Sequence, residues 1–189
     1  MLLLLSGLFL FLGIHSISIV ALPLRERLAA VSEIAWKLFY SVISVLGLYL
    51  IIQGYAELKT TATLLYVTPQ WTRHLAALLL LPVFILFFAP YFPGKIKYTT
   101  RHPQLVAVKL WAVAHLLVNG TVADVLLFGS FLLWAVADRL SMSNRPLRAV
   151  PSVIKSKTND MIVLVLGIAV YLATAFWLHE MLFGVRPFN

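Results

Sequence analysis

No cysteine occurs among the 189 residues. That absence excludes disulfides, thiolate metal ligands and covalent c-type haem attachment. Charge is nearly as scarce, with 15 Lys and Arg against 7 Asp and Glu. The resulting net charge of +8 is spread over short connectors between apolar runs. It is not gathered into a patch, so nucleic acid is not a partner. No soluble domain, internal repeat or low-complexity tail interrupts the pattern. What remains is apolar: 61% of the residues are hydrophobic and the mean hydropathy is +0.94, far beyond a soluble domain. A chain of this length is expected to be one domain, 1–189, whose apolar surface faces lipid as well as itself.

Six apolar runs stand out, near 2–22, 35–54, 74–92, 103–119, 122–140 and 160–180. Each approaches the ~20 residues that a helix needs to cross about 30 Å of hydrocarbon. Only helices satisfy every backbone group within lipid over such lengths. The expected fold is therefore all-α, a polytopic membrane bundle of about six transmembrane helices. The first run has no basic residue ahead of it and no A-x-A cleavage signal before "PLRER" (23–27). It reads as a retained anchor.

Basic residues alternate between connectors. Arg25, Arg27, Lys37, Lys95, Lys97, Arg101, Arg139, Arg145, Arg148, Lys155 and Lys157 fall on one side. Lys59, Arg73 and Arg186 fall on the other, and Lys109 lies within the fourth run. This asymmetry predicts that the richer side is cytoplasmic and that both termini are non-cytoplasmic. The segment 141–159, "SMSNRPLRAVPSVIKSKTN", reads as a cytoplasmic loop along the headgroups. "NGTV" (119–122) makes the fourth and fifth helices a tight hairpin, since Asn-Gly is a turn dipeptide. Trp71, Tyr91, Tyr98 and Trp177 fall near predicted interfaces, where amphipathic rings settle.

Polar groups in hydrocarbon are costly, and they mark function. The stretch 101–120, "RHPQLVAVKLWAVAHLLVNG", keeps two histidines. At about 100° per residue, Gln104, Val108, Trp111 and Asn119 fall within about 40° of His115. His102 points roughly 140° away, at the basic end, and is expected in the headgroup region. The bland reading of His115 is a core imidazole hydrogen-bonded to a neighbouring helix. A second deep imidazole, His15 in "GLFLFLGIHSIS" (7–18), changes the balance. Two neutral imidazoles from different helices supply the two axial ligands of a non-covalent haem b. His15 lies about 15 Å from Arg25 and His115 about 21 Å from Arg101 along their helices. His74 and His179, near the outer ends of helices three and six, are the fallback ligands. No His-x-x-x-His pair offers a compact zinc site. Asp124, Asn119 and Arg73, near the outer end, are candidates to hold haem propionates.

"FLGIHS", "WKLFYSVISVLGLYLIIQGY", "WTRHLAALLLLPVFIL", "RHPQLVAVKLWAVAHLLVNG", "LLFGSFLLWAVADR" and "LHEMLFGVRP" follow one another along the chain. In this order they resemble the NnrU family over nearly the whole length. The resemblance implies a bacterial inner-membrane protein associated with nitrite and nitric oxide reduction. Plant zeta-carotene isomerase, a haem b enzyme acting on a cis double bond of a carotene, is similar to that family. Its two proposed histidine ligands fall on His15 and His115. The cofactor-binding set expected on these grounds is His15, His115, Trp111, Asn119 and Arg73, with iron on His15 and His115.

"RHP" opening a helix, with "HEMLFG" later, is also similar to membrane methyltransferases of the isoprenylcysteine type. On the expected topology His102 and His179 lie on opposite sides, which one site cannot easily use. Three functions therefore follow from the residues and the resemblance. The first is a haem-binding accessory or sensor supporting membrane nitrogen-oxide reductases. The second is a haem-dependent cis–trans isomerase of a lipophilic polyene, and the third is the methyltransferase.

Overall fold

In the computed structural model, which describes residues 1–146 and 150–187, every regular element is helical. The only β pairing among the described residues is an isolated bridge between Leu64 and Thr121. The first run forms α1 (Leu2–Val20). Ala21 breaks it, and α2 (Leu22–Val31) follows with Pro23 in its first turn, where a missing N–H costs nothing. Ser32 then caps α3 (Glu33–Thr61) by accepting from the Ala35 N–H at 3.2 Å. At 29 residues, α3 is about 44 Å long.

Three helical stretches among the described residues are long and apolar enough to cross a membrane: Leu2–Val20, Glu33–Thr61 and Asn159–Phe183. The chain is thus a membrane-type all-helical protein, and of the about six spans expected from hydropathy three are matched by helices of spanning length. The third run is two short helices, α4 (Thr72–Leu80) and α5 (Val83–Phe88). Pro82 separates them, because it lacks an N–H and its ring collides with the preceding turn. After α6 (Lys95–Thr100), the fourth run is α7 (Pro103–Leu116), only 14 residues or about 21 Å. The fifth is α8 (Val122–Ser141), long enough but carrying Asp124, Asp138 and Arg139. The last is α9 (Asn159–Ala173), a π turn over Thr174–Leu178 and α10 (His179–Phe183). Gly184, at φ 68, ends it in the left-handed cap conformation. Arg148, counted above among the basic connector residues, lies outside the described residues.

The chain divides into two compact units, the first comprising 1–69 and 115–145, the second 70–114 and 146–189. The division falls within α7, between Ala114 and His115.

In the first unit, α1 packs along α3, and both pack on α8. Gly7 of α1 and Gly47 and Gly54 of α3 permit a backbone-to-backbone approach. A methyl group on Gly7 would lie 2.5 Å from the Ile51 nitrogen, and one on Gly47 would lie 2.7 Å from the Phe11 nitrogen. A methyl group on Gly54 would collide with the backbone of Leu4. Small residues at such crossings let helices associate in lipid, where hydrophobic burial no longer drives packing.

In the second unit, α5 packs on α9, and Val83, Leu86 and Ala107 form a cluster with Leu80, Ile96, Val106, Leu110 and Trp111 around it. The N-terminus of α9 grips the chain ahead of α6. The Asp160 carboxylate accepts from the N–H groups of Lys95 (2.7 Å) and Ile96 (3.0 Å), capping α6 from outside. The Asn159 amide donates to the carbonyls of Pro93 and Ile154, each at 3.0 Å. Any side chain at Gly94 would strike the Asp160 carboxylate. Arg101, the only described non-glycine residue at positive φ (61°), turns the chain from α6 into α7.

Candidate functional site

The helix pairing of the first unit carries His15 into a ring of aromatic side chains. Its Nδ1 lies 2.6 Å from the Phe11 carbonyl, one turn back on α1. A carbonyl only accepts, so Nδ1 carries the proton and Nε2 keeps its lone pair. The Phe11 ring stacks on the imidazole at 4.3 Å between centroids. Tyr40 of α3 lies at 5.0 Å, and Trp134 of α8 meets the imidazole edge-on at 6.0 Å and 89°.

One turn beyond Trp134, on the same face of α8, the buried Asp138 pairs with Arg145. Asp138 is close enough for its charge to act on His15 and Tyr40. Two N–H groups in this neighbourhood, Trp134 Nε1 and Arg145 Nε, are buried with no acceptor among the described residues. Native proteins leave few buried donors unmet, and each such group calls for an explanation.

His115, at the other end of the unit, stacks on Phe128 of α8 at 4.6 Å. Phe128 in turn meets Tyr55 of α3 at 6.3 Å. Beside them Asp124 is fully buried and fully used. It accepts from the Tyr55 hydroxyl at 2.7 Å and from Lys59 Nζ at 2.6 and 2.7 Å. It also accepts from the Thr121 N–H at 2.8 Å and the Thr121 hydroxyl at 2.6 Å. The Thr121 and Asp124 bonds form a capping box at the start of α8. The Tyr66 hydroxyl reaches the carbonyls of Leu116 (2.6 Å) and Asn119 (2.8 Å). Partial burial, then the Asp124 charge, pushes the Tyr66 phenol up, so it remains a donor at neutral pH. The Asn119 amide donates to the His115 carbonyl at 3.0 Å.

The structure therefore gathers His15, His115 and Asn119 into one unit but gives the two imidazoles different neighbours. Their partners on α8, Trp134 and Phe128, are six residues apart, about 9 Å along the helix axis. Trp111 packs in the core of the second unit. Arg73 and His74 stand exposed on α4, also in the second unit. His179 is half-buried there, its Nδ1 2.8 Å from the Val185 carbonyl and its ring 5.1 Å from Phe183. Among the described residues no three His, Cys, Asp or Glu gather as a metal-binding group.

Tyr40, Trp134, Asp138 and Arg145 are additions to the candidate set. The signal for them was a buried-type acid in the apolar stretch "LLWAVADR", which flags function when it sits in a membrane helix.

The sequence model of the NnrU protein family matches residues 3–187. The chain belongs to the NnrU family. No curated protein and no solved structure matches it. Within this NnrU-family chain, the half-buried histidine with a defined tautomer and an unmet indole donor beside it is His15.

Proposed function

We propose that this NnrU-family chain is an integral membrane protein that binds haem b without covalent attachment. On this reading it supports nitrogen-oxide reduction as an accessory or sensor in a bacterial inner membrane, in association with membrane nitrogen-oxide reductases. The observation that carries the proposal is the state of His15: Nδ1 engaged by a carbonyl, Nε2 basic, aromatic rings around it and an orphaned indole N–H on one of them. The chemistry of the donor set fits a haem, which needs only one nitrogen per face from the protein. His15 and His115 would hold it. A bound haem would supply a redox-active iron able to take up nitric oxide.

The protein's own part is to orient and to exclude. The Phe11 carbonyl fixes which nitrogen of His15 is basic, and the Phe11, Tyr40 and Trp134 rings keep water from it. Phe128 holds the plane of the His115 ring. Sharing one iron requires the two imidazoles to converge from partners about two turns apart on α8, and single-histidine variants test this demand. Absorption spectra of the detergent-purified protein, oxidised and dithionite-reduced, should show a six-coordinate b-type haem. His15→Ala and His115→Ala should each lose that spectrum, while His102→Ala should keep it. An unchanged six-coordinate spectrum in His115→Ala would remove His115 as the second ligand, and the same result in His15→Ala would remove the site proposed here.

The Lys and Arg asymmetry supports non-cytoplasmic termini. A single cysteine at Ser143 should be shielded from an impermeant reagent applied to intact cells, and one at Ser6 should react. The reverse pattern would invert the topology.

A further inference from the structure

An unmet donor on the indole beside His15, and a second on the arginine that pairs with Asp138 one turn along, are more than packing. Trp134 and Asp138 are four residues apart on α8 and share a face. Asp138 takes one end of the Arg145 guanidinium through Nη2, and Arg145 Nε is not used. Trp134 Nε1 is likewise unused, on the indole that abuts His15. An indole N–H and a guanidinium N–H only donate. What they lack is therefore an acceptor, and beside a guanidinium the acceptor that gains most is an anion. Asp124, by contrast, is saturated by donors from three residues, and Arg73 is exposed in the other unit. Among the described residues, neither the Asp124 cluster nor Arg73 thus offers a buried, unengaged donor for a ligand's carboxylate.

We infer that Trp134 Nε1 and Arg145 Nε form a carboxylate-binding subsite beside His15, and that it receives a propionate of the haem. This assigns ligand orientation to residues 134 and 145 in place of Arg73 and Asn119. It rests on the haem reading of His15. The subsite makes the protein discriminate between a haem with free propionates and one whose propionates are esterified, since an ester carries no charge for Arg145.

The test is titration of haem-free full-length protein in detergent with hemin and with hemin dimethyl ester, followed by the Soret band. Wild type should bind hemin roughly tenfold to a hundredfold more tightly than the diester, the range of a hydrogen bond to a charged group. Arg145→Gln should lose most of that preference. It also removes the Arg145 charge from Asp138, so a loss of folding there does not by itself decide the question. Trp134→Phe avoids this, because it keeps an aromatic ring and removes only the N–H and part of the indole. It should reduce the preference about threefold to tenfold while retaining the wild-type Soret position, which a merely structural role would not do. Equal affinity of wild type for both haems, or full preference retained in Trp134→Phe, would overturn the subsite and leave the haem reading standing. A wild type that shifts the Soret band of neither compound would overturn the haem reading, and the subsite with it.

Discussion

At the N-terminus of α8 one carboxylate collects four donor groups, while near its C-terminus two buried N–H groups find no acceptor among the described residues. Both clusters sit in the same unit, one at each end of α8. The Asp124 cluster joins the end of α3 to the start of α8 and leaves nothing over for a ligand. It behaves as a rivet, because every group that would be costly to bury alone has its partner. The Trp134 and Arg145 cluster is incomplete, and incompleteness at a buried site is tolerable where something else completes it. Polarity within a membrane helix is thus ambiguous by itself. Whether its hydrogen bonds are already filled separates scaffold from site.

Stability measurements can break this contrast, starting where the effect is largest. Asp124→Ala removes the helix cap and strands the Tyr55 hydroxyl and the Lys59 amine. Lys59, with 37% of its side chain exposed, recovers part of the loss through water, so a cost of about 3 kcal/mol is expected. Thermal unfolding in detergent, followed by circular dichroism, would measure it. Tyr66→Phe keeps the ring but leaves two carbonyls, of Leu116 and Asn119, without their donor. A loss of about 1 kcal/mol should be read by the same melt. Trp134→Phe in the haem-free protein is expected within about 1 kcal/mol of wild type, since the N–H it deletes contributes no bond. If it cost as much as Asp124→Ala, Trp134 would be a second rivet and the contrast would collapse.

Hydropathy made the helical class and the long apolar helices legible, because those helices depend on composition over about 20 residues. It said less where one residue overrode the average. Pro82 splits a run whose hydropathy is continuous, and Asp124 and Asp138 lie buried inside one that reads as a span. The histidines were visible from depth and helical phase alone, but their surroundings were not. Phe11, Tyr40 and Trp134 are indistinguishable in sequence from lipid-facing aromatics until the helices pair. Two of the three residues that bond Asp124, Lys59 and Tyr55, lie 65 and 69 residues before it, a separation that no local pattern reports. Trp111 shares a helical phase with His115, yet it packs in the core of the second unit, because α7 serves both units in succession.

The three glycines at the crossing of α1 and α3 act as a ruler. Where backbones touch, a helix cannot slide by a fraction of a turn, because each glycine accepts only the particular backbone atoms now facing it. A slip of one residue is about 1.5 Å, enough to carry Phe11 off Gly47 and Leu4 off Gly54. The same slip would move His15 relative to Tyr40, which sits on the other helix. The distance between an imidazole and a phenol at one end of the pair is thus graduated by hydrogen atoms at Gly7, Gly47 and Gly54. Lengthening any of these by one carbon would read out as a displaced His15 ring.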